Sequence, residues 1–533
     1  MNGTTRFPEQ WRLALWGLIT IHAAIVLPFL LFLVARIFYR FPMNYNEGWN
    51  VMFTARLLGG RPLYVPLDNF PLTPMNYPPL SFAIIGGLSY LTGDILLTGR
   101  IVSLCSFVIV SLLIFRIIDN LTGHKLAAAV GALFWIGLMT RLGGYRLVMH
   151  DPQLLAHAFS LAALCLFSEW RDALTPRRVC LLVLLCCLAV FVKHFIFVVP
   201  VVLAIALVFR DRRSLWVFAL AGIACSASMA YAVWCYGGEY FWSNFVDFDR
   251  SVSNWRMLSA IENLFVFKLV VVTFGPFIVL MAIRRTRWLP YLLYFPLAML
   301  LGAFASRGHG VDINAWFDFF IAAAIVLGMF AGDLPRIIAV PAPSWPRPGQ
   351  FARPCGSGLI FYVILASALL PFAPQLRNDL RTVLNYDDLR RSDQAYHSQV
   401  QLLKSIPGPA LFENLLMGFD AGKECVYEPF GAAQLMVSGR MRERILTDAI
   451  RDRSFGAIVL SFNIDEMLCI LRERGVDEQK PSATLRERWT DNTLKVIGEH
   501  YELLGPSQFR NFVYVPRNTD VTVAPLCPPR RDD

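Results

Sequence analysis

Charged residues are scarce in this chain: Asp, Glu, Lys and Arg make up 17% of its 533 residues, against 56% hydrophobic. A water-soluble protein of that length has no means of burying so much apolar side chain, so a purely soluble globule is excluded. Metal-ligand spacing is missing from the eleven cysteines, most of which, such as Cys105, Cys186 and Cys187, sit inside apolar runs as small hydrophobes. The formal net charge is +10, yet no basic patch is interleaved with aromatics, which argues against a nucleic-acid partner. No small-residue cleavage site follows the first apolar run, so that run is read as an anchor and not a leader.

What is present is a series of apolar runs near the ~20 residues needed to cross hydrocarbon. They cover 13–35, 101–118, 126–142, 154–167, 179–192, 195–209, 215–235, 264–283, 289–305, 316–330 and 359–372. The predicted fold class is a polytopic α-helical membrane protein of about eleven transmembrane helices plus interfacial helices, with a small α/β soluble domain at the C-terminus. The domain division is placed at 1–372 and 373–533, where charge, Pro and Gly become frequent and no run is long enough to span.

Orientation follows from three short Arg-dense loops, 171–178, 210–214 and 284–287, which even numbers of spans separate. They share a side, and the positive-inside rule makes it cytoplasmic. By parity the loop holding Glu47, the segment before Asp151, the 237–250 loop, the 307–312 loop and the C-terminal domain lie on the opposite, periplasmic or extracellular, face. The segment 77–93 opens on Pro78-Pro79, carries Gly86-Gly87 and is short for a crossing, so it is read as an interfacial helix.

In the tail, 410–413, 457–462, 501–505 and 512–516 read as short strands, with helical patterns at 441–451 and 465–474 between them. The tail shows no repeat, Gly-rich phosphate loop or low-complexity tract. In an oxidising compartment Cys425 and Cys469 could pair.

Polar residues outside the cytoplasmic loops gather at the outer ends of helices: Glu47, Arg146, His150, Asp151, Lys193, His194, Arg307, His309, Asp312 and Asn314. Ionisable groups at a membrane edge are costly unless paired or used, and carboxylates beside cations suit a base working next to a phosphate leaving group. Structural roles compete with this reading. Asp151 before Pro152 suits a helix cap, Asp312 likewise, and Lys193 and His194 at a hairpin turn could simply reach water. Arg307, between a helix and the glycines 308 and 310, could clamp phosphate.

Taken in order, these motifs resemble the GT-C superfamily of membrane glycosyltransferases, nearest to the bacterial branch of protein O-mannosyltransferases and the lipid A aminoarabinose transferase. The resemblance spans 11–332 and rests on the acidic loop at Glu47, the PPL segment 78–80 followed by Arg100, the HDP of His150 to Pro152, the Lys193 turn, and Gly310, Asp312 and Asn314. It implies transfer of a sugar from a polyprenyl-phosphate donor, by inverting direct displacement, to a glycan, lipid or protein acceptor on the outer face of a bacterial inner membrane. Glu47 and Asp151 would be the catalytic acids. Lys193, Arg307, His309 and Arg146 would hold the donor phosphate, with Asn46, His150, His194, Tyr77, Asp312 and Asn314 around the substrate. Two departures stand out: Asn46 replaces the first acid of the family's Asp-Glu pair, and Tyr77 replaces a Lys or His before the PP pair. No cofactor is required, although a divalent metal could bridge Glu47 or Asp151 to phosphate. The competing classes are a polyprenyl-lipid or polysaccharide transporter and a catalytically degenerate lipid-binding assembly protein.

Overall fold

The computed structural model describes residues 9–245, 252–263, 288–338, 386–474, 488–504 and 511–518. Its helices start and stop where the chain supplies the chemistry. Helix α1 (Glu9–Arg36) runs unbroken through Pro28. After a short outer segment come α2 (Tyr45–Leu58) and α3 (Leu80–Thr92). Asp94 then caps α4 (Ile95–Thr122) by accepting from the Leu97 amide, and Gly123 ends it in the left-handed region at φ 73°. The predicted 101–118 run is therefore longer than apolarity alone suggested.

Next come α5 (Lys125–Leu138), α6 (Gln153–Trp170), α7 (Pro176–Val192), α8 (Val198–Val208) and α9 (Arg212–Gly237), the last capped by Asp211. The short α10 (Glu239–Phe245) and α11 (Asn254–Asn263) lead to α12 (Leu289–Ala305) and α13 (Phe317–Ile338). The predicted spans 264–283 and 359–372 lie outside the described residues, as does the 372/373 boundary.

Six described helices are long and apolar enough to cross a membrane, and three shorter apolar ones, among them α3 and α8, accompany them. At 13 residues α3 is ~20 Å long, too short to span ~30 Å of hydrocarbon. The predicted 195–209 run folds only as the eleven residues of α8, because its first residues form the turn after Lys193.

A helix apolar all round belongs at the centre. Residues 319–326 of α13 have no exposed surface, and α4, α5 and α12 pack around them. Gly131 of α5 and Gly328 of α13 both meet the Ile118 side chain of α4, the close approach that small residues permit in membrane bundles. Helix α9, by contrast, buries little of itself and turns its apolar side chains outward.

The C-terminal region begins at α14 (Tyr386–Ser405). It continues through β1 (Ala410–Phe412), α15 (Leu415–Asp420), α16 (Pro429–Val437), α17 (Arg444–Arg451) and β2 (Ala457–Leu460) to α18 (Ile464–Arg474), α19 (Asp491–His500), β3 (Tyr501–Leu503) and β4 (Phe512–Pro516). The sheet order is β1-β2-β4-β3. β1 and β2 are parallel, with Leu411 opposite Ile458, and the helices between them make the crossover such a pair requires. β4 runs antiparallel to β2 and β3. Apolar residues fill both faces of β1 and β2, as a sheet covered on two sides demands. Cys425 carries a free thiol while Cys469 is disulfide-bonded, so the two are not joined to each other.

This region sits directly on the outer segments. Leu72 and Tyr427 form a parallel bridge, with Leu72 N donating to Val426 O at 2.8 Å and Glu428 N to Leu72 O at 2.9 Å. Arg40 pairs with Asp94 and with Asp420, whose second oxygen also accepts from Arg40 Nε at 2.9 Å. Gly48 brings α2 against the backbone of α15, where a Cβ would overlap Leu416 N.

Candidate active site

Where α2, the 144–152 segment, the turn after α7 and α16 meet, they enclose a cavity of about 270 Å³. Asn44 caps α2 by accepting from the Asn46 amide, and that turn presents Tyr45, Asn46, Trp49 and Asn50 to the cavity. Glu47 points the other way. Fully buried, it accepts from Arg100 of α4 at both oxygens, Nε to Oε1 and Nη2 to Oε2, each at 2.8 Å. The amides of Met43 (2.6 Å) and His150 (3.0 Å) complete its shell. Burial pushes this carboxyl up, but the charge and hydrogen bonds of Arg100, with the two amides, outweigh it and hold Glu47 below the usual carboxylate range.

Glu47 was expected to be the base. The structure corrects that: it is off the cavity wall, its oxygens are committed, and it ties α2 to α4 and to the 144–152 segment.

Asp151 does face the cavity. Its Oδ1 accepts from Lys193 Nζ at 3.1 Å and from Gln153 N at 2.7 Å, and both side chains of the ion pair are nearly fully buried. Asp151 thus serves as a helix cap and as half of a cavity ion pair at once. The ammonium also lies 5.2 Å from the centre of the Tyr77 ring. Across the cavity Arg146 pairs with Asp312, and Asn314 follows on the same wall.

Of the predicted site residues, Asn46, Tyr77, Arg146, Asp151, Lys193, Asp312 and Asn314 share this cavity. His150 does not: its ring is buried against Gly99, and burial lowers its pKa to about 4, leaving it neutral. His194 packs among Phe245 and the wall residues Tyr77 and Phe195, one layer behind the cavity. Arg307 lies over Phe304, and neither it nor His309 is among the described residues that line the cavity. These four are corrections to the predicted substrate and phosphate sites. No cluster of three or more His, Cys, Asp or Glu side chains among the described residues is placed to hold a metal. Of the two predicted ligands, Glu47 is held by Arg100 at both oxygens and Asp151 by Lys193 at one.

Several wall residues carried less signal or none. Asp318 lines the cavity, accepts from Tyr294 Oη at 2.5 Å and lies 3.5 Å from His157, which contacts Gln153 at 2.9 Å. A lone acid and a lone histidine inside apolar runs were readable as exceptions. Glu428 and Arg488 reach the wall only because the C-terminal region docks there. Glu428 caps α16 through the amides of Phe430 (3.1 Å) and Gly431 (2.6 Å) and accepts from the Tyr45 hydroxyl; burial pushes its pKa up to about 7.

No family model matches the chain, and no curated protein matches it in sequence. Solved structures do match. ArnT from Cupriavidus metallidurans bound to undecaprenyl phosphate aligns with a TM-score of 0.54 at 12% identity, over 95% of this chain and 99% of that one. The apo state of the same protein gives 0.55 at 12% identity over 94% and 98%. At that identity the likeness is one of fold: the chain is folded like ArnT. Near-complete coverage in both directions means that this likeness of fold includes the C-terminal region as well as the helices.

Proposed function

We propose that this protein is an integral-membrane glycosyltransferase that moves a sugar from a polyprenyl-phosphate donor to an acceptor hydroxyl at the outer face of a bacterial cytoplasmic membrane. The observation that carries the reading is the Asp151–Lys193 pair on the wall of a cavity that also holds Arg146 and Tyr77. Buried opposite charges at a membrane edge are expensive unless they are used, and each member here supplies one half of a displacement. The acceptor oxygen attacks the anomeric carbon as its proton passes to Asp151. The bond from that carbon to the phosphate oxygen breaks, and its electron pair leaves with the phosphate, which Lys193 and Arg146 stabilise. A single displacement of this kind inverts the anomeric centre.

The bound lipid of the ArnT structure, undecaprenyl phosphate, is of the class that leaves the donor in the displacement proposed here. A disulfide at Cys469 suits an oxidising, periplasmic location for the C-terminal region. The test is transfer from labelled polyprenyl-phosphate sugars to cell-envelope acceptors by the reconstituted protein. Asp151→Asn is expected to lower turnover, measured per folded protein, by roughly 10²–10⁴. Wild-type turnover in that variant would remove the assigned base, and no transfer by the wild type with any such donor would remove the reading.

A further inference from the structure

Three helices, α6, α12 and α13, bring polar side chains together along the reaction cavity. Asp318 stands at the second position of α13, where the chain passes from Asp312 and Asn314 into a helix whose residues 319–326 have no exposed surface. It is 4% exposed and lines the cavity. Its Oδ1 accepts from Tyr294 Oη of α12 at 2.5 Å and lies 3.5 Å from Nδ1 of His157 in α6. His157 Nε2 meets the side-chain amide nitrogen of Gln153 at 2.9 Å, and Gln153, one turn earlier on α6, is again a cavity residue. An amide nitrogen only donates, so His157 Nε2 accepts from it and the ring carries its own proton on Nδ1, on the side of Asp318. The displacement proposed above uses none of these four side chains, although a carboxylate buried within a membrane span is costly unless it is paired or used.

The chemistry of Asp318 and Gln153 narrows what they hold. A carboxylate accepts and a carboxamide both gives and takes, so a group bound between them presents O–H or N–H donors. A prenyl chain carries no donor, and a phosphate carries charge of the sign that Asp318 repels. Position agrees with this. Gln153 N donates to Asp151 Oδ1 at 2.7 Å, which ties this wall to the reacting end of the cavity. His157, four residues after Gln153, lies ~6 Å further along α6, and Asp318 faces it there. The wall therefore runs inward from Asp151. With the donor phosphate at Lys193 and Arg146, the part of the donor that brings several hydroxyls to this wall is its sugar.

We infer that Gln153 and Asp318 bind hydroxyls of the sugar carried by the donor and so select which sugar is transferred. The identity of the ligand rests on the glycosyltransferase reading: Asp151 takes the acceptor proton beside the anomeric carbon, and the rest of the ring lies inward along this wall. A sugar that lacks the hydroxyl concerned leaves buried polar groups unpaired, the arrangement in which a polar site discriminates most strongly.

Binding to the full chain in nanodiscs tests it. The probes are undecaprenyl phosphate, its glucose, mannose, galactose, arabinose and N-acetylglucosamine esters, and the monodeoxy analogues of the ester that binds best; transfer is assayed in parallel. The wild type is expected to bind at least one ester and to lose about tenfold or more in Kd when one particular hydroxyl is deleted. Asp318→Asn and the similarly sized Gln153→Met should each bind that ester about tenfold more weakly. Each should also bind undecaprenyl phosphate as the wild type does and be indifferent to a deletion that costs the wild type affinity. A merely structural role would instead weaken every ligand by the same factor, undecaprenyl phosphate included. Should Asp318→Asn fail to fold, Gln153→Met decides. The proposal falls if no ester binds, if the wild type tolerates every deletion, or if the variants keep the wild-type preference or lose every ligand alike. The expected binding pattern in a protein that transfers nothing would overturn the transferase reading and leave the site standing, and transfer by a wild type indifferent to every deletion would do the reverse.

Discussion

Glu47 and Asp151 bear the same functional group and lie at neighbouring points in space, yet their partners separate their roles. Glu47 meets a guanidinium that forks onto both oxygens inside a fully buried shell, whereas Asp151 meets an ammonium on a cavity wall. Removing one member of a buried pair strands the other charge, at a cost of about 3–5 kcal/mol. Both Glu47→Gln and Asp151→Asn are therefore expected to lower the thermal midpoint in detergent, but only Asp151→Asn to remove most of the turnover of the protein that remains folded. The reverse pattern would restore Glu47 as the base. The letters alone could not separate the two, because each is a carboxylate at the edge of an apolar run, and the deciding feature is Arg100, 53 residues after Glu47.

Glu428 gives a second test at this scale. Its carboxyl titrates at about 7 when folded, against roughly 4.3 in an unfolded chain. Between those values the folded protein keeps a proton that the unfolded chain has released, so this group makes stability fall as pH rises through that window. The loss is of order 3 kcal/mol. Glu428→Gln should remove that slope, seen as a smaller drop in thermal midpoint from about pH 5 to about pH 8 than in the wild type. Equal drops in the two proteins would show that burial does not raise this carboxyl.

At the scale of elements, apolar length and end signals foretold most helices, and the alternation of short strands with helical patterns foretold the sheet. The chain marks α4 with Asp94 and Gly123 and β2 with a run of four buried apolar residues. What it does not mark is which elements touch. Helix α2 looks like an isolated outer loop in sequence, but it packs on α15 so closely that Gly48 has no room for a Cβ against Leu416 N. Backbone cannot yield as a flexible side chain does, so Gly48→Ala should separate α2 from α15 by part of an ångström or more. Faster hydrogen exchange is expected across both helices, with α6 and α13 unchanged. Undisturbed exchange at α15 would mean that the contact is not needed to hold the two together.

For the whole molecule, the decisive question is sidedness, since every proposed step requires α2, the cavity and the sheet to share one compartment. The helices bring Asp151, Lys193 and the C-terminal Glu428 to one end of the bundle, while the Arg-dense segment between α8 and α9 leads away from the other end of α8, eleven residues further on. Arginine counts predict this sidedness, because charge is expensive to move across hydrocarbon, and of the three Arg-dense loops 284–287 lies outside the described residues. The docking of the sheet was not legible, because it depends on separate pairings, Arg40 to Asp420 and Leu72 to Tyr427, that no local pattern announces. Single cysteines at exposed Ser398 on α14 and exposed Arg213 at the start of α9 test the arrangement directly. In intact cells with a permeable outer membrane, a membrane-impermeant maleimide should label Ser398→Cys and leave Arg213→Cys at the level of the parent protein until the cells are lysed. Labelling of both before lysis, or of Arg213→Cys alone, would put the sheet and the arginine loops in the wrong compartments, and a periplasmic transfer reaction in this cavity would then have no access to its acceptor.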